Sequence, residues 1–373
     1  MTQTLAYRPE LAQSYIGTAI DGPTLNPPTL SVRGRDLNEL IDSISFAGAL
    51  HHLLTGELPT PSQADAVDRY LAGCCRGVPQ DHPALDLIAR ARKAGASWHA
   101  AVMAGLAVEP APGPSETPDL SPENVEGLRI LGVLPRYVTL AVRGEDRIPP
   151  ESDSLDQLFW LCTERRLENA LHRRIFDNLM VSFHAGFGVV PPSVLAPRAA
   201  AGTGVPTWQA LSAGFATCGA MHTGACEAHM ATMEKLLAQP DPVRAGRELL
   251  ESTLAQGKRM FGYGHPFFEA DVRVPRLRAI MREAGFSTAY LELYDALQAM
   301  VRERLKIEPN LDAMNSTTLL SLGVESRFGS AIFLCSRPAA MVAHIIERRN
   351  KPAFGTKSET ARKFYDRISL DWL

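Results

Sequence analysis

The sequence predicts a mostly α-helical protein, and three observations support this prediction. Apolar residues recur at the three- and four-residue spacing of an amphipathic helix along much of the 373-residue chain. Sustained alternation of apolar and polar residues, which is typical of half-buried strands, is almost absent. Prolines separate many of the helical segments. Together these features favour many short helices joined by proline-marked turns.

The composition is that of an ordinary soluble protein. Hydrophobic residues make up 45% of the chain and charged residues 21%, and the net charge is -3. Such a chain is long enough for a large core and two domains. The absence of a basic excess gives no reason to expect a nucleic-acid partner. We find no apolar run near the ~20 residues of a membrane helix and no signal peptide at the start, so we expect no membrane partner and a cytoplasmic location.

Six cysteines occur in the sequence, and none belongs to a C-x-x-C pair or to a zinc-like spacing with histidine. They are Cys74, Cys75, Cys162, Cys218, Cys226 and Cys335. We therefore expect buried free thiols and no bound metal. Cys226 lies near a candidate site but is not interpreted as a nucleophile.

The N-terminal 35 residues look irregular or strand-poor. Asp36 can cap a helix that starts at Leu37. The apolar period from Ser45 to Leu54 predicts a helix that ends at Gly56. Further helices are predicted at 62–71 and 84–94, the latter opened by His82-Pro83.

The clearest loop is the proline-rich segment 109–122. A helix is predicted after this loop, and Pro135 inside that helix is expected to kink or split it. No internal repeat stands out. The remaining helices are predicted at 123–143, 155–163, 167–186, 206–219, 243–260, 289–305 and 331–349.

A glycine turn at residues 262–264 presents His265 and is followed by acids and by Arg273 and Arg276. Glycine permits positive φ and close approach to a ligand, and arginine can hold a carboxylate through two parallel hydrogen bonds. Taken alone, the stretch is also compatible with a surface turn followed by a solvated charge run.

Two more stretches place a polar side chain at a helix boundary. His222 follows Gly219-Ala220 where a helix is expected to begin, and Asp312 lies in Asn310-Leu311-Asp312. A histidine at a helix start can donate a hydrogen bond in catalysis. Taken singly, His222 is also explained as a satisfied core histidine, and Asp312 as an N-cap.

Together and in this order, these stretches resemble the citrate synthase family over nearly the whole chain. Three further stretches take part in the resemblance. The matching stretches are residues 32–37, 54–60, 182–185, 221–227, 262–276 and 310–312.

The resemblance implies a citrate synthase-like homodimer, each chain with a large helical domain and a smaller mobile one. The large domain would comprise residues 1–221 and return at 320–373, and the small domain would comprise 222–319. Closure of the small domain would exclude water. The implied activity is that of a transferase that condenses acetyl-CoA, or a close acyl-CoA, with a 2-oxo acid and hydrolyses the thioester. Acetyl-CoA would be a co-substrate, with no bound cofactor and no metal.

The resemblance also implies a role for each catalytic residue. Asp312 would take the proton beside the thioester carbonyl, and His222 would donate a hydrogen bond to the thioester oxygen. His265 would polarise the keto oxygen of the second substrate. The residues implied to bind the second substrate are Arg276, Arg337, Lys351, Phe187 and Arg273, and those implied to bind CoA are Arg259, Phe261, Gly262, Tyr263 and Gly264.

The departures from the family pattern concern the acceptor substrate. Phe187 stands where a second histidine is usual, and Gly186 replaces an aspartate. Arg276 lies two residues later than the usual arginine, but its preceding proline favours it over Arg273. Lys351 aligns with an arginine contributed across the dimer. We therefore expect the acceptor to be oxaloacetate or a variant such as phosphonopyruvate or a longer or branched 2-oxo acid.

Two alternatives remain open at this point. One is a lyase that cleaves citryl-CoA or a similar 3-hydroxy-acyl-CoA without hydrolysis. The other is a non-catalytic CoA-binding homologue, against which the presence of His222, His265 and Asp312 argues.

Overall fold

The computed structural model describes residues 17–219, 222–266, 268–349 and 351, and it confirms a predominantly helical fold. Most helices are short and follow one another through brief turns. They are α1 (Leu37–Leu40), α2 (Phe46–Thr55), α3 (Pro61–Arg76), α4 (Pro83–Lys93), α5 (Trp98–Gly105), α6 (Pro122–Arg143), α7 (Ser154–Thr163), α8 (Ala170–Ser182), α9 (Pro192–Ala201), α10 (Thr207–Ala216), α11 (Ala225–Leu237), α12 (Pro242–Ala255), α13 (Arg273–Glu283), α14 (Ala289–Leu305), α15 (Leu311–Ser321), α16 (Gly329–Ser336) and α17 (Pro338–Arg349).

A small antiparallel sheet precedes the helices and corrects the prediction of a strand-poor start. It consists of β1 (Asp21–Leu25), β2 (Pro28–Val32) and β3 (Arg35–Asp36), in that order across the sheet. The strands are at most five residues long and two of them contain proline, so no sustained alternation marks them in the sequence. Residues 1–16 of the predicted irregular segment lie outside the described residues.

Helix boundaries follow the capping residues that the sequence offers. Asp36 caps α1 by accepting a hydrogen bond from the Asn38 N–H at 3.0 Å. Ser45 caps α2 at its start, and Gly56 ends it with φ 87°. These caps confirm the predicted boundaries of the first two helices.

Two prolines act differently from expectation. Helix α6 continues through Pro135 without a break, so the proline does not split the helix, and the alternative of a kink at this position stays a prediction. This helix is buried along most of its length and packs against α3, α5 and α16, which offsets the lost hydrogen bond of the proline. The predicted helix at 331–349 is instead divided into α16 and α17 before Pro338.

The run Ser326–Arg349 is long and apolar enough to cross a membrane by length and composition alone. The expectation that no apolar run approaches the length of a membrane helix is therefore wrong for this segment. Because 89% of its most apolar window is buried inside the protein, it is explained as a core segment.

Helices α11 to α15 pack on one another and touch the rest of the chain at few places. Helix α15 contacts α11, α13 and α14, and it also contacts α8 and α16. It extends past residue 319 to Ser321. The division of the chain at residues 222 and 319 stays a prediction. This packing brings α13 and α15 against α8, and it brings α11 against α15.

Candidate active site

A cavity of about 360 Å³ lies beside α13 and α15. Its wall contains three residues predicted to be catalytic, His222, His265 and Asp312. The rest of the wall is Phe183, Gly186, Phe187, Val190, Pro191, Pro192, Ser193, Thr223, Pro266, Asp271, Arg273, Asn310, Leu311, Phe333 and Arg337.

The turn that carries His265 is fixed to the segment before α15. The Gly264 N–H donates to the Glu308 carbonyl at 2.8 Å, and the Asn310 N–H donates to the Gly262 carbonyl at 2.9 Å. Gly262 has φ 84°, and a Cβ there would lie 2.8 Å from His229 Cδ2. Only glycine combines this backbone conformation with this close approach. The turn therefore holds His265 at a fixed distance from the start of α15.

The environment of His265 keeps its ring neutral. Burial lowers the pKa of His265 to about 4, and nearby Arg273 lowers it further while Asp271 opposes the shift. The Phe268 N–H donates to Nδ1 at 3.2 Å. Since Nδ1 accepts, the proton of the neutral ring lies on Nε2. His265 can therefore act as a neutral hydrogen-bond donor.

Asp312 is the second residue of α15, and Asn310 is the N-cap. The Asn310 Oδ1 atom accepts a hydrogen bond from the Asp312 N–H at 3.0 Å. The alternative that Asp312 is only an N-cap is therefore wrong. Its side chain lines the cavity, and burial raises its pKa to about 6, although Arg273 and Arg337 oppose the shift. A carboxyl group with this pKa is suited to act as a base near neutral pH.

His222 lies at the mouth of the cavity, three residues before α11. Its Nε2 atom is 2.9 Å from the Ser193 hydroxyl oxygen, a contact that orients the ring. The residue is exposed rather than part of the core, so the core-histidine alternative is wrong. Enough protein surrounds the ring that desolvation, together with Arg337, lowers its pKa. Residues 220 and 221 lie outside the described part of the chain.

Arg273 forms a buried ion pair with Asp271 on the cavity wall. Its Nε and Nη2 atoms donate to the two carboxylate oxygens at 2.9 Å and 2.7 Å. The Asp271 carboxylate also accepts the Leu311 N–H at 3.1 Å. Burial opposes ionisation of Asp271, but Arg273 outweighs this and the pKa of the carboxyl lies below its usual value. The pair thus ties α13 to α15.

The preference for Arg276 over Arg273 is not supported by the structure. Arg276 does not line the cavity, and its Nη2 atom donates to the Ile41 carbonyl at 3.3 Å. Helix α13 begins at Arg273, so Pro275 lies in the first turn, where proline is tolerated. The proline therefore marks a helix start and does not identify the arginine of the site.

Arg337 contributes a positive charge without a carboxylate partner. It is 8% exposed, and no carboxylate lies within 4.0 Å of it among the described residues. Its guanidinium lies 5.0 Å from the centroid of the Phe333 ring. Burial, with the charge of Arg273, lowers the pKa of Arg337 to about 10. A buried cation of this kind is stabilised by an anionic ligand.

Of the remaining residues predicted to bind the second substrate, Phe187 lines the cavity and Lys351 does not. Phe187 lines the cavity with its ring centroid 5.2 Å from that of His265. Lys351 is half-buried and does not line the cavity of its own chain.

The predicted CoA-binding residues lie around the same glycine turn, next to the cavity. Arg259 and Phe261 are exposed. The phenol of Tyr263 is buried, which leaves only backbone atoms of Gly262, Tyr263 and Gly264 for a ligand. Contact of these five residues with CoA stays a prediction.

Four polar residues of the cavity wall were not predicted as site residues. They are Ser193, Thr223, Asp271 and Asn310. The Asn310-Leu311-Asp312 pattern contained a signal for the last of these, since asparagine is a favoured N-cap. No cluster of three or more His, Cys, Asp or Glu that could hold a metal occurs within the described residues. The expectation of no metal stays a prediction.

Comparison with known proteins shows the family of this chain. The family model described as citrate synthase, C-terminal domain, matches residues 11–355. A 2-methylcitrate synthase of Mycobacterium tuberculosis is 24% identical over 370 residues, covering 92% of this chain and 88% of the relative. A citrate/2-methylcitrate synthase of Bacillus subtilis is 26% identical over 333 residues, covering 85% of this chain and 86% of the relative.

Solved structures show the same fold. A citrate synthase of Thermoplasma acidophilum, described as a ternary complex with carboxymethyl coenzyme A and oxaloacetate, has a TM-score of 0.74 at 19% identity and covers 91% of both chains. Citrate synthase from Thermotoga maritima has a TM-score of 0.70 at 20% identity and covers 88% of both chains. With a helical fold, a cavity that gathers the three expected polar residues and a family match along most of its length, this chain belongs to the citrate synthase family.

Proposed function

We propose that this protein is an acyltransferase that joins an acyl-CoA to a 2-oxo acid and releases CoA by hydrolysis. The observation that carries the proposal is the meeting of Asp312, His222 and His265 in one cavity. Between them these groups supply a base with a raised pKa and two imidazoles with lowered pKa values. That set suits formation of a carbon–carbon bond through an enol or enolate.

The first step is removal of a proton from the carbon beside the thioester. The Asp312 carboxylate takes this proton, and burial has already raised its pKa to about 6. The Asp312 carboxylate is therefore a better proton acceptor than that of an ordinary aspartate, because a raised pKa means higher basicity.

The enol or enolate that forms must be stabilised at the thioester oxygen. His222 supports this role because its ring is neutral and is oriented by Ser193. When the Ser193 hydroxyl donates to Nε2, the ring proton lies on Nδ1 and is available to the thioester oxygen.

The second step is attack on the keto carbon of the acceptor. Its oxygen becomes an alkoxide, which the Nε2–H of His265 stabilises by a hydrogen bond. Water then cleaves the thioester, which gives the free acid and CoA. The balanced reaction consumes one acyl-CoA, one 2-oxo acid and one water.

Arg337 is the group that we assign to the carboxylate of the acceptor. It lines the cavity and lacks a carboxylate partner among the described residues, whereas Arg273 is already paired with Asp271. The names of the relatives favour oxaloacetate as acceptor and acetyl-CoA or propionyl-CoA as donor. Phosphonopyruvate remains a candidate acceptor, but Lys351, which could pair with its phosphonate, does not line the cavity of a single chain. A homodimer and a cytoplasmic location complete the proposal.

The test is a panel of acyl-CoA and 2-oxo acid pairs, with CoA release followed by a thiol reagent and products identified by mass. The panel contains acetyl-CoA and propionyl-CoA, each with oxaloacetate, phosphonopyruvate and a branched 2-oxo acid. We expect at least one pair to turn over and Asp312→Asn to reduce kcat by roughly a hundredfold or more.

The matched control is Asp241→Asn, which replaces the exposed N-cap of α12 by another good N-cap and should retain full activity. Absence of CoA release for every pair, with correctly folded protein, would contradict the proposal. Cleavage of citryl-CoA to acetyl-CoA without hydrolysis would replace it with the lyase alternative.

A further inference from the structure

A buried carboxylate from the N-terminal sheet supports the loop that carries Phe187. Asp21, the first residue of β1, is fully buried. One of its oxygens accepts the Gly188 N–H at 2.6 Å, and the other accepts the Gly186 N–H. The two residues that flank Phe187 are thus held by one side chain. Asp21 does not line the cavity itself.

The backbone at Phe187 requires such support. Its φ is 62°, in the left-handed region that residues with a side chain seldom adopt. This conformation persists only where the surroundings impose it. The Asp21 carboxylate imposes it by binding the N–H groups on both sides, and such charge-assisted bonds are among the stronger ones in proteins.

Gly186 leaves room for the carboxylate. A Cβ at this position would lie 2.9 Å from Asp21 Oδ2 and 3.1 Å from Val194 Cγ2. The aspartate that the family resemblance leads one to expect at position 186 could not be accommodated beside Asp21. In this chain a carboxylate therefore reaches the loop from a strand 165 residues earlier.

Asp21 is itself held by a buried polar network. His344 Nε2 lies 3.2 Å from Asp21 Oδ1, and Arg198 Nη1 donates to His344 Nδ1 at 3.0 Å. Because Nδ1 accepts, Nε2 carries the proton and donates to Asp21. Arg198 is in turn paired with Glu347 at 2.5 Å. The network fixes the carboxylate beneath the loop.

The supported loop places the Phe187 ring between two groups of the site. The ring centroid is 5.2 Å from that of His265 and 4.8 Å from the guanidinium carbon of Arg273. Both contacts set the shape of the cavity beside the imidazole that we assign to the acceptor. Movement of the loop would shift this wall.

We propose that Asp21 is a positioning residue that fixes Phe187 and thereby determines how the acceptor end of the cavity fits its 2-oxo acid. This inference rests on the proposed function for its kinetic consequence, but its structural part does not. The Asp21 carboxylate acts through the loop and does not touch the reacting atoms.

The structural part is tested by hydrogen exchange, measured by mass spectrometry on peptides that cover residues 183–190. Asparagine at position 21 keeps one acceptor oxygen and places an NH2 group opposite the other N–H. We expect exchange of this segment to become roughly ten- to a hundredfold faster in Asp21→Asn. The control is Asp156→Asn, another buried aspartate that accepts a backbone N–H, from Leu167. It should leave this segment unchanged.

Unchanged protection of residues 183–190 in Asp21→Asn would overturn the inference, whatever the activity. Should Asp21→Asn fail to fold, Gly186→Ala disturbs the same contact from the loop side, because its Cβ would press on Asp21 Oδ2. Local loss of protection in Gly186→Ala, with the rest of the chain protected, would support the inference. Normal protection would contradict it.

The kinetic part is tested by a double-mutant cycle with Phe187→Ala. We expect Asp21→Asn to raise KM for the 2-oxo acid about three- to tenfold while KM for the acyl-CoA changes less than twofold. In the Phe187→Ala background, Asp21→Asn should have little further effect. Equal effects in both backgrounds would show that Asp21 does not act through Phe187. If no substrate pair turns over, the proposed function fails and the exchange result still decides the structural part.

Discussion

At the residue scale, burial affects the acid and the imidazoles of the cavity in opposite directions. It raises the pKa of Asp312 to about 6 and lowers that of His265 to about 4. The same desolvation therefore makes the carboxylate more basic and keeps the imidazole uncharged. At pH 7 the cavity therefore holds an ionised base that can remove the α-proton and, in His265, a neutral imidazole that can donate to the keto oxygen of the acceptor.

The first prediction concerns the pH dependence of catalysis. Asp312 must be ionised to act as a base, so kcat/KM should rise with pH through about 6 and then level. His265 titrates near 4 and should add no second inflection between pH 5 and 8. The measurement is kcat/KM from pH 4.5 to 8.5. A profile that is flat from pH 5 to 7 would contradict the role of Asp312.

Asp312 should also make stability depend on pH. Its pKa is higher in the folded state than the ordinary 3.8, so the folded state binds more protons between these values. Stability from this group is therefore full below about pH 4 and is lost as pH rises through 6. Asp312→Asn should be more stable than the parent at pH 7.5, by about 1–2 kcal/mol after allowance for solvent in the cavity. Denaturant unfolding at pH 4 and 7.5 measures the difference.

A further prediction follows from the unpaired charge of Arg337. Replacing it by methionine should stabilise the unliganded protein, because a buried cation without a carboxylate partner is costly. The same change should abolish the rise in Tm that the accepted 2-oxo acid produces. Thermal unfolding with and without the acid measures both effects. Arg278→Met, which breaks the peripheral pair with Asp295, is the control and should keep the ligand-dependent rise.

How far the site can be predicted from sequence differs between residues. His222, His265 and Asp312 could be singled out because their local signals, a glycine turn or a helix start, occur together in an order that resembles the family, and all three line the cavity. The choice between Arg273 and Arg276 could not be made from the sequence, because it depends on where α13 begins. The contact of Asp21 with the Phe187 loop was also beyond reach, since it joins residues 165 positions apart without a local pattern.

At the element scale, the residue that caps α15 also positions two of the residues that we assign to catalysis. Asn310 caps this helix and also donates from Nδ2 to the Gly264 carbonyl at 2.9 Å. One side chain therefore fixes both the base at the helix start and the turn that carries His265.

We predict that Asn310→Ala lowers the free energy of unfolding by about 1–2 kcal/mol and kcat by more than tenfold. The matched control is Ser97→Ala, which removes the N-cap of α5 outside the cavity. It should cost similar stability and leave kcat nearly unchanged. Chemical unfolding and steady-state rates measured on both variants separate the two effects. Equal loss of kcat in both would indicate only general destabilisation.

The predicted elements differ from the observed ones both near the cavity and away from it, where α3 continues to Arg76 although the prediction ended at residue 71. Helices α7 and α14 were predicted to within one residue at each end, because their periodic apolar faces and caps agree. The predicted helix at 167–186 instead ends at Ser182, and that at 206–219 ends at Ala216. Both overruns fall on segments that leave the helix to approach the site. In these segments the local preference of the sequence for helix does not decide where the helix ends, because the chain must leave the helix to form the cavity.

At the scale of the whole molecule, the homodimer is a prediction with a direct consequence. Lys351 does not line the cavity of its own chain, so any role in binding would require a partner chain. We expect sedimentation equilibrium to give twice the mass of one chain. Lys351→Ala should raise KM for the 2-oxo acid, while Lys258→Ala, which removes an exposed lysine, should not. A monomer that is fully active would contradict this prediction.

All six cysteines are buried and unpaired, and this affects how the enzyme can be assayed. Burial raises the pKa of four thiols to about 12 and that of Cys226 and Cys335 well above the usual value. Thiolate is the reactive form, so the native protein should leave a chromogenic disulfide reagent unconsumed. Colour in a turnover assay then reports CoA alone. In denaturant the same reagent should count six equivalents per chain, so a slow colour drift without substrate measures the fraction of enzyme that has lost its native structure.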